Sequence, residues 1–411
     1  MIRNNRLFEK AYKLYQKTKS IFKSEVSDFN AFKSTVIEFD EYKEFLEELK
    51  KDQKISSFIN KTVYPTEKQI FDYIDIIFDF INEIVDKKLN KENFKNFYIL
   101  FEDFFYSDYF EMIDKARLFN CKLEQECIHI DKNLCIKSDP DFLKDFHIIN
   151  DYNMDVLYPF PLYEIYFSTV LERKYKLKKI IVENDKAIKS INLEKNKELF
   201  DENYISKEAF KNVIKCLRIM RKSGAFLGND IYSFVVSFYK DFHSISSPES
   251  NLLFDEIFEF SPIDFQNLQD IYKNLEKIKE NNFNIAVDCF NNGISKQNLI
   301  NKLIDFTIGL EALFLKDINQ ELQYKLAIRT AFSLKESNSE RKEIFDLVLK
   351  SYGIRSNILH GEKNLIPTSE DLNSLEEILR KSINLYLKDI SKFNSNTLKY
   401  SYLFRTMIFL T

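Results

Sequence analysis

LINKLIDFTIGLEALFL, residues 299–315, repeats its apolar residues at helical intervals, with Leu303, Phe306, Leu310, Leu313 and Phe314 on one stripe. A stripe of that period is the buried face of an amphipathic helix. Glu311 lies inside it. An unpaired carboxylate is costly in apolar surroundings, so a cationic partner is expected, either Arg355 or Arg329. Asp305, on the same helix, is a second candidate for such a supporting role. The stretches that follow keep the period. Leu322, Leu326, Phe332 and Leu334 mark a second helix, and Ile344, Leu347, Val348 and Tyr352 a third. A fourth begins after Pro367 and Thr368 and presents Leu372, Leu375, Leu379, Ile383, Tyr386, Leu387 and Ile390. Four helices with short connections make a bundle.

Working outward, residues 206–223, SKEAFKNVIKCLRIMRKS, predict another helix, ended by Gly224. IYSFVVSFY at 231–239 is a short apolar stretch, and Ser261, Pro262 and Asp264 form a helix start: cap, first turn and N3 carboxylate. Nearer the N-terminus, helices are expected near 5–19, 38–58 and 66–88, the last entered through Pro65-Thr66-Glu67. From about 119 the period changes. CKLEQECIHIDKNLCIK at 121–137 alternates as two short strands around Asp131–Asn133 do, and 162–184, after Pro159 and Pro161, predicts one or two more. The fold class is therefore α+β and mainly helical. The expected divisions are a mixed helix/strand sensor or regulatory domain at 1–200, a helical extension at 201–284, the bundle at 285–392 and a tail at 393–411 of strand or docking-helix character.

Composition narrows the function classes. Six glycines and seven prolines in 411 residues favour long uninterrupted helices over a glycine-turned sandwich or a nucleotide-binding doubly wound sheet. The formal net charge of -4 is not that of a dedicated duplex-DNA binder, although a nuclease needs positive charge only around the scissile phosphate. Two segments supply it locally. Lys174, Lys176 and Lys178 alternate with Tyr175 and Leu177, giving a solvated face, a lysine-protected edge strand or an RNA-backbone contact. Lys207, Lys211, Lys215, Arg218, Arg221 and Lys222 gather on one side of the 206–223 helix, as a solvated or a phosphate-tracking face. Lys325 and Arg329 share an i, i+4 face, suited to substrate or to bundle salt bridges.

The five cysteines show no C-x2-C spacing, and free thiols in a reducing cytoplasm account for them. His129, between Ile128 and Ile130, His147, after Phe146, and His243 have no partner pattern and are read as structural or superficial. With no H-E-x-x-H, P-loop or acidic cluster, neither a metal nor a nucleotide cofactor is expected. Residues 1–20 lack the apolar core of a signal peptide. The apolar run at 70–85 carries Asp72, Asp75, Asp79 and Glu83 at helical intervals, so it is no membrane span. A cytoplasmic protein with no membrane contact is expected.

The third bundle helix ends in LVLKSYGIRSNILHGEKN, residues 347–364. Arg355 and His360 are five residues apart, rotated by about 140° and separated by roughly 7.5 Å of rise, so they flank a groove or face the same pair from a second subunit. Gly361 sits where helices commonly end, leaving His360 at the carbonyl terminus. Metal-free RNA cleavage needs a base for the 2′-hydroxyl, an acid for the leaving 5′-oxygen and positive charge beside the phosphorane. Histidine serves the first two and arginine the third. One of each per chain is too few, and a two-fold axis would supply two of each.

These residues carry a resemblance. LINKLIDFTIGLEALFL at 299–315, KLAIRTAFSL at 325–334, ERKEIF at 340–345 and YGIRSNILHG at 352–361 together resemble the Apea-like branch of the HEPN superfamily, over at least 284–390. The resemblance implies a dimerising HEPN-like helical bundle and a metal-independent endoribonuclease that leaves 2′,3′-cyclic phosphate ends. Its signature arginine and histidine fall on Arg355 and His360. Ser356 occupies the polar position after the arginine, where many members have Asn, Asp or His, and Asn357 is polar one residue on. It also implies RNA, tRNA included, as substrate, a homodimer, a role in antiphage or stress defence, and an antitoxin or phage-derived trigger as regulatory partner. The alternative is a noncatalytic helical module that binds RNA or protein, with His360 as a helix cap.

Overall fold

The structure is a computed structural model describing residues 2–22, 29–64, 71–85, 87–139, 169–182, 185–238, 242–246, 257–316, 318, 320–361 and 366–393. The expected helix entry at Pro65-Thr66-Glu67, the region of Pro159 and Pro161, His147, and the tail beyond Phe393 lie outside the described residues. The described chain is α+β, as its mixed periodicities require, with helices and several small sheets.

Helices α1 (Asn5–Phe22), α2 (Phe29–Ile37), α3 (Asp40–Lys51) and α4 (Gln53–Ser56) come first, then strand β1 (Thr62–Tyr64) and helices α5 (Tyr73–Asn82) and α6 (Lys91–Tyr106). Strands β2 (Tyr109–Phe119), β3 (Cys121–Lys122), β4 (Cys127–His129), β5 (Leu134–Ser138), β6 (Thr169–Lys178) and β7 (Ile180–Val182) follow. After the long helix α7 (Asp185–Met220) come β8 (Phe226–Val235), β9 (Phe242–Ser246) and β10 (Phe258–Glu259). Helices α8 (Pro262–Lys277), α9 (Asn281–Ser295), α10 (Leu299–Phe314), α11 (Leu322–Leu334), α12 (Asn338–Leu359) and α13 (Ser369–Lys388) complete the order, with a final 3-10 turn at Ile390–Phe393. The largest sheet has the order β4-β5-β6-β2-β8-β9. β6 follows β5 and precedes β2 in that order.

Two compact units emerge, and they do not follow the linear divisions expected. One comprises Met1–Ala116, Glu172–Lys207 and Asp230–Ser247, the other Arg117–Leu171, Glu208–Asn229 and Pro248–Thr411. The expected boundary at 200/201 falls inside α7, because the helical period there runs on without a break.

In the first unit α1 buries Leu7, Phe8, Ala11, Leu14 and Tyr15, spaced as one face of a helix. The helix expected at 38–58 is two helices. Asp52 ends α3, and its carboxylate accepts from the Lys54 and Ile55 amides to start α4 anew. Among the described residues of the segment expected at 66–88 the helix is α5, capped by Asp72, and α6, outside the expected segments, is capped by Asn90. Phenylalanine fills this core: Phe94, Phe101, Phe104, Phe105 and Phe238 are all buried. β2 was not expected as a strand, because its inward register (Phe110, Met112, Asp114, Ala116, Leu118) includes a carboxylate and an alanine that blur the alternation. Asp114 is fully buried and accepts from the Tyr175 hydroxyl at 3.1 Å, and burial pushes its carboxyl above the usual range.

In the second unit α8 starts as the sequence predicts, with Asp264 Oδ2 accepting from the Ser261 amide at 2.8 Å. Four helices of the 299–388 region form as expected, and α9 packs with them around Phe283, Phe290, Phe306, Leu310, Leu379 and Ile383. Close packing explains a glycine: a Cβ at Gly309 would lie 2.7 Å from Leu379 Cδ2.

Candidate active site

Helix α12 delivers the sequence-predicted pair. Its N-terminus is capped by Ser337, and at its other end the His360 amide donates to the Ser356 carbonyl at 3.0 Å while Gly361 takes φ +90°. That left-handed residue stops the helix at His360, which a glycine does at least cost. His360 is exposed, as is the neighbouring apolar Leu359.

One turn and a half earlier, Arg355 points back into the unit. Its Nη1 lies 2.7 Å from Glu311 Oε1 on α10, with the two side chains 18% and 21% exposed. The apolar stripe around Glu311 called for such a partner, and of the two candidates it is Arg355. Tyr352 closes the group, its ring centroid 5.6 Å from Arg355 Cζ. Burial pushes the Glu311 carboxyl above its ordinary value, although Arg355 and the tyrosine hydroxyl oppose the shift. Burial, then the Glu311 charge, raises Tyr352 likewise. Arg355 Nε is buried with no hydrogen-bond partner among the described residues. An orphaned charged donor of this kind costs free energy unless a ligand or solvent meets it. Ser356 and Asn357, half-buried, follow Arg355 on the same turn.

The wider set of basic residues divides. Arg218 is 3% exposed, with Nη1 donating to Asn291 Oδ1 at 2.6 Å and to Ser295 Oγ at 2.9 Å, and Nε to the Ala225 carbonyl at 3.2 Å. Arg329 is 9% exposed, and its Nη1 donates to the Phe314 carbonyl at 2.6 Å. Neither reaches solvent as an RNA contact must, and the expectation for both is corrected: they satisfy backbone carbonyls inside the bundle. Lys215 is paired with Asp288 at 2.7 Å, Lys325 with Glu321 at 3.3 Å and Arg221 with Asp264 at 3.3 Å. Of the basic residues on the 206–223 helix, Lys215, Arg218 and Arg221 are therefore spent on internal partners, while Lys222 is exposed. Lys174, Lys176 and Lys178 remain exposed on one face of β6, Lys174 lying 3.4 Å from Glu172. Asp305 pairs with Lys296 at 2.5 Å.

The spacing rules missed one group. The β4-β5 pairing sets His129 opposite Cys135 and brings Cys127 beside them. Only the strand register, which no C-x2-C pattern encodes, makes that visible. Among the described residues no helix is long and apolar enough to cross a membrane. No protein-family model, curated protein or solved structure matches the chain, so its function is argued from its own residues.

Proposed function

We propose that this chain is a metal-independent endoribonuclease, active as a homodimer in the cytoplasm, with Arg355 and His360 of both copies at the scissile phosphate and a role in bacterial antiphage or stress defence. The observation that carries the reading is the helix end itself: an arginine oriented by Glu311 and Tyr352, followed on the same helix by an exposed histidine. In this reading His360 of one copy removes the proton from the 2′-hydroxyl. The freed oxygen attacks phosphorus, the bond to the 5′-oxygen breaks, and the second copy's histidine protonates that leaving oxygen. Products are a 2′,3′-cyclic phosphate and a 5′-hydroxyl. Arg355 donates to the non-bridging oxygens as charge accumulates, its planar fork matching their geometry. Glu311 is then a positioning residue, and the exposed Leu359 adds apolar surface beside His360 for the second copy.

The test is incubation of the purified chain with total RNA and defined tRNAs in EDTA, with analysis of the product ends. Cleavage is expected to persist with chelator, and His360→Ala and Arg355→Ala are each expected to lower the rate by about 100-fold or more, His360→Ala at unchanged melting temperature and Arg355→Ala with a stability loss of roughly 1 to 2 kcal/mol from stranding Glu311. Cleavage unaffected by both substitutions sinks the assignment. One observation favours a second reading, a noncatalytic RNA- or protein-binding helical module: Glu311 already neutralises the Arg355 guanidinium. That reading expects RNA retention with no new ends. A separate antitoxin, as opposed to a trigger sensed within the chain, would copurify.

A further inference from the structure

The hairpin β4-β5 carries a group the nuclease reading does not use. Cys127 and His129 are two residues apart on β4 and so share one face of the strand. The antiparallel register sets Cys135 directly across from His129, where facing side chains approach most closely. One donor atom from each of Cys127, His129 and Cys135 lies within 4.8 Å of the other two. Cys127 Sγ is 3.8 Å from His129 Nε2. Two donors on one tetrahedral zinc ion, at ordinary Zn–S and Zn–N lengths, are about 3.6 to 3.8 Å apart. The Cys127–His129 pair therefore already spans about one edge of a coordination tetrahedron, with the Cys135 donor within 4.8 Å of both.

The frame around them is held. Asp131 Oδ1 accepts from the Asn133 amide at 2.6 Å and the Leu134 amide at 2.8 Å, which fixes the turn between the strands. Gln269 Nε2 of α8 donates to the His129 carbonyl at 2.7 Å, tying β4 to a helix of the same unit. Donors ordered before a ligand arrives lose less entropy on binding it. Exposure is graded: Cys135 is buried, Cys127 half-buried and His129 exposed. An ion there would be approached from the His129 side.

We propose that Cys127, His129 and Cys135 form a binding site for a thiophilic metal ion, Zn2+ before others, with the fourth position open to water or an added ligand. Two thiolates and an imidazole suit a soft or borderline ion and disfavour Mg2+ and Ca2+, which take oxygen donors. Binding displaces the thiol protons as the Zn–S bonds form, and no electron transfer is involved. The site is independent of the nuclease reading, because metal binding and RNA cleavage in chelator are read separately.

The full chain, kept reduced, is titrated with Zn2+ against a chromophoric chelator, with Co2+ in parallel for its thiolate charge-transfer absorption. One ion per chain is expected, with that band present. Cys127→Ser and His129→Ala, both at surface-accessible positions, are expected to weaken binding by at least about 100-fold, beyond the loss from removing a mere outer partner of a ligand. Cys289→Ser on α9 is expected to bind as the parent does. The proposal is overturned by failure of the parent to compete with the chelator, or by undiminished binding in Cys127→Ser. A Cys127–Cys135 disulfide in protein purified under reductant overturns it too.

Discussion

The C-terminal turns of α7 and the outer half of β6 are both rich in positive charge, and they use it in opposite ways. At the end of α7, Lys215, Arg218 and the following Arg221 each meet a partner within the unit: Asp288, Asn291 with Ser295 on α9, and Asp264. On β6, strand alternation sends Lys174, Lys176 and Lys178 outward while Tyr175 and Leu177 turn in. A helix embedded among other helices has neighbours on most sides, so a long cation finds a carbonyl or carboxylate before it finds water. A strand has only two faces. Positive charge counted along a sequence therefore says little about charge available to RNA until the element carrying it is placed. Arg355 is intermediate: one guanidinium nitrogen is taken by Glu311, and another is buried without a partner among the described residues.

The sharpest way to break this contrast is Arg218→Met. If Arg218 is a packing residue, the variant leaves the Ala225 carbonyl, Asn291 and Ser295 without their donor, and a loss of about 3 kcal/mol is expected in urea unfolding. Burial pulls the Arg218 guanidinium down to about 10, so it remains charged at neutral pH, and methionine removes that buried charge along with the donors. A variant of parental stability with weaker RNA affinity would return Arg218 to the surface role that its sequence position suggested.

The bundle was legible because its signal is local. The stripe from Leu303 to Phe314 and the run from Leu372 to Tyr386 repeat within a few residues, and burial follows them. The partner of Glu311 was legible as a need but not as a choice, since Arg329 and Arg355 lie on different helices and only packing selects between them. β2 was not legible, because Asp114 occupies its buried register and one of its oxygens accepts from a tyrosine far along the chain. The cysteine-histidine group was hidden for the same reason: His129 and Cys135 meet through strand pairing, not through spacing. Interleaving of the two units was likewise beyond a linear reading.

Glu311→Gln tests the intermediate case, at about 1 kcal/mol near neutral pH for the lost charge-assisted hydrogen bond. The pH dependence is more telling than the size. Burial raises the Glu311 carboxyl above its usual 4.5, so the folded chain holds that proton more tightly than the unfolded chain. Its contribution is then fully present below 4.5 and is lost as pH rises through the raised value. Chemical denaturation from acidic to neutral pH should show the parent's advantage over Glu311→Gln narrowing as pH rises. An advantage that widens would mean that attraction to Arg355 outweighs burial, and would place Arg355 with Arg218 as a committed structural cation.

The smallest expected effect on stability belongs to the triple variant Lys174→Ala, Lys176→Ala, Lys178→Ala. The three ammonium groups face outward, and the carboxylate beside Lys174, the buried Glu172, keeps Lys115 at 3.7 Å when Lys174 is removed, so the unfolding free energy should move by less than about 0.5 kcal/mol. RNA affinity separates what stability cannot. Three lysines each neutralising one phosphate of a single strand would lower the slope of log affinity against log salt by roughly 2, and the loss should be similar for unrelated sequences. Such a loss makes β6 an RNA-contacting strand. An unchanged slope leaves them a solvated face, and places the charge that meets RNA at Arg355.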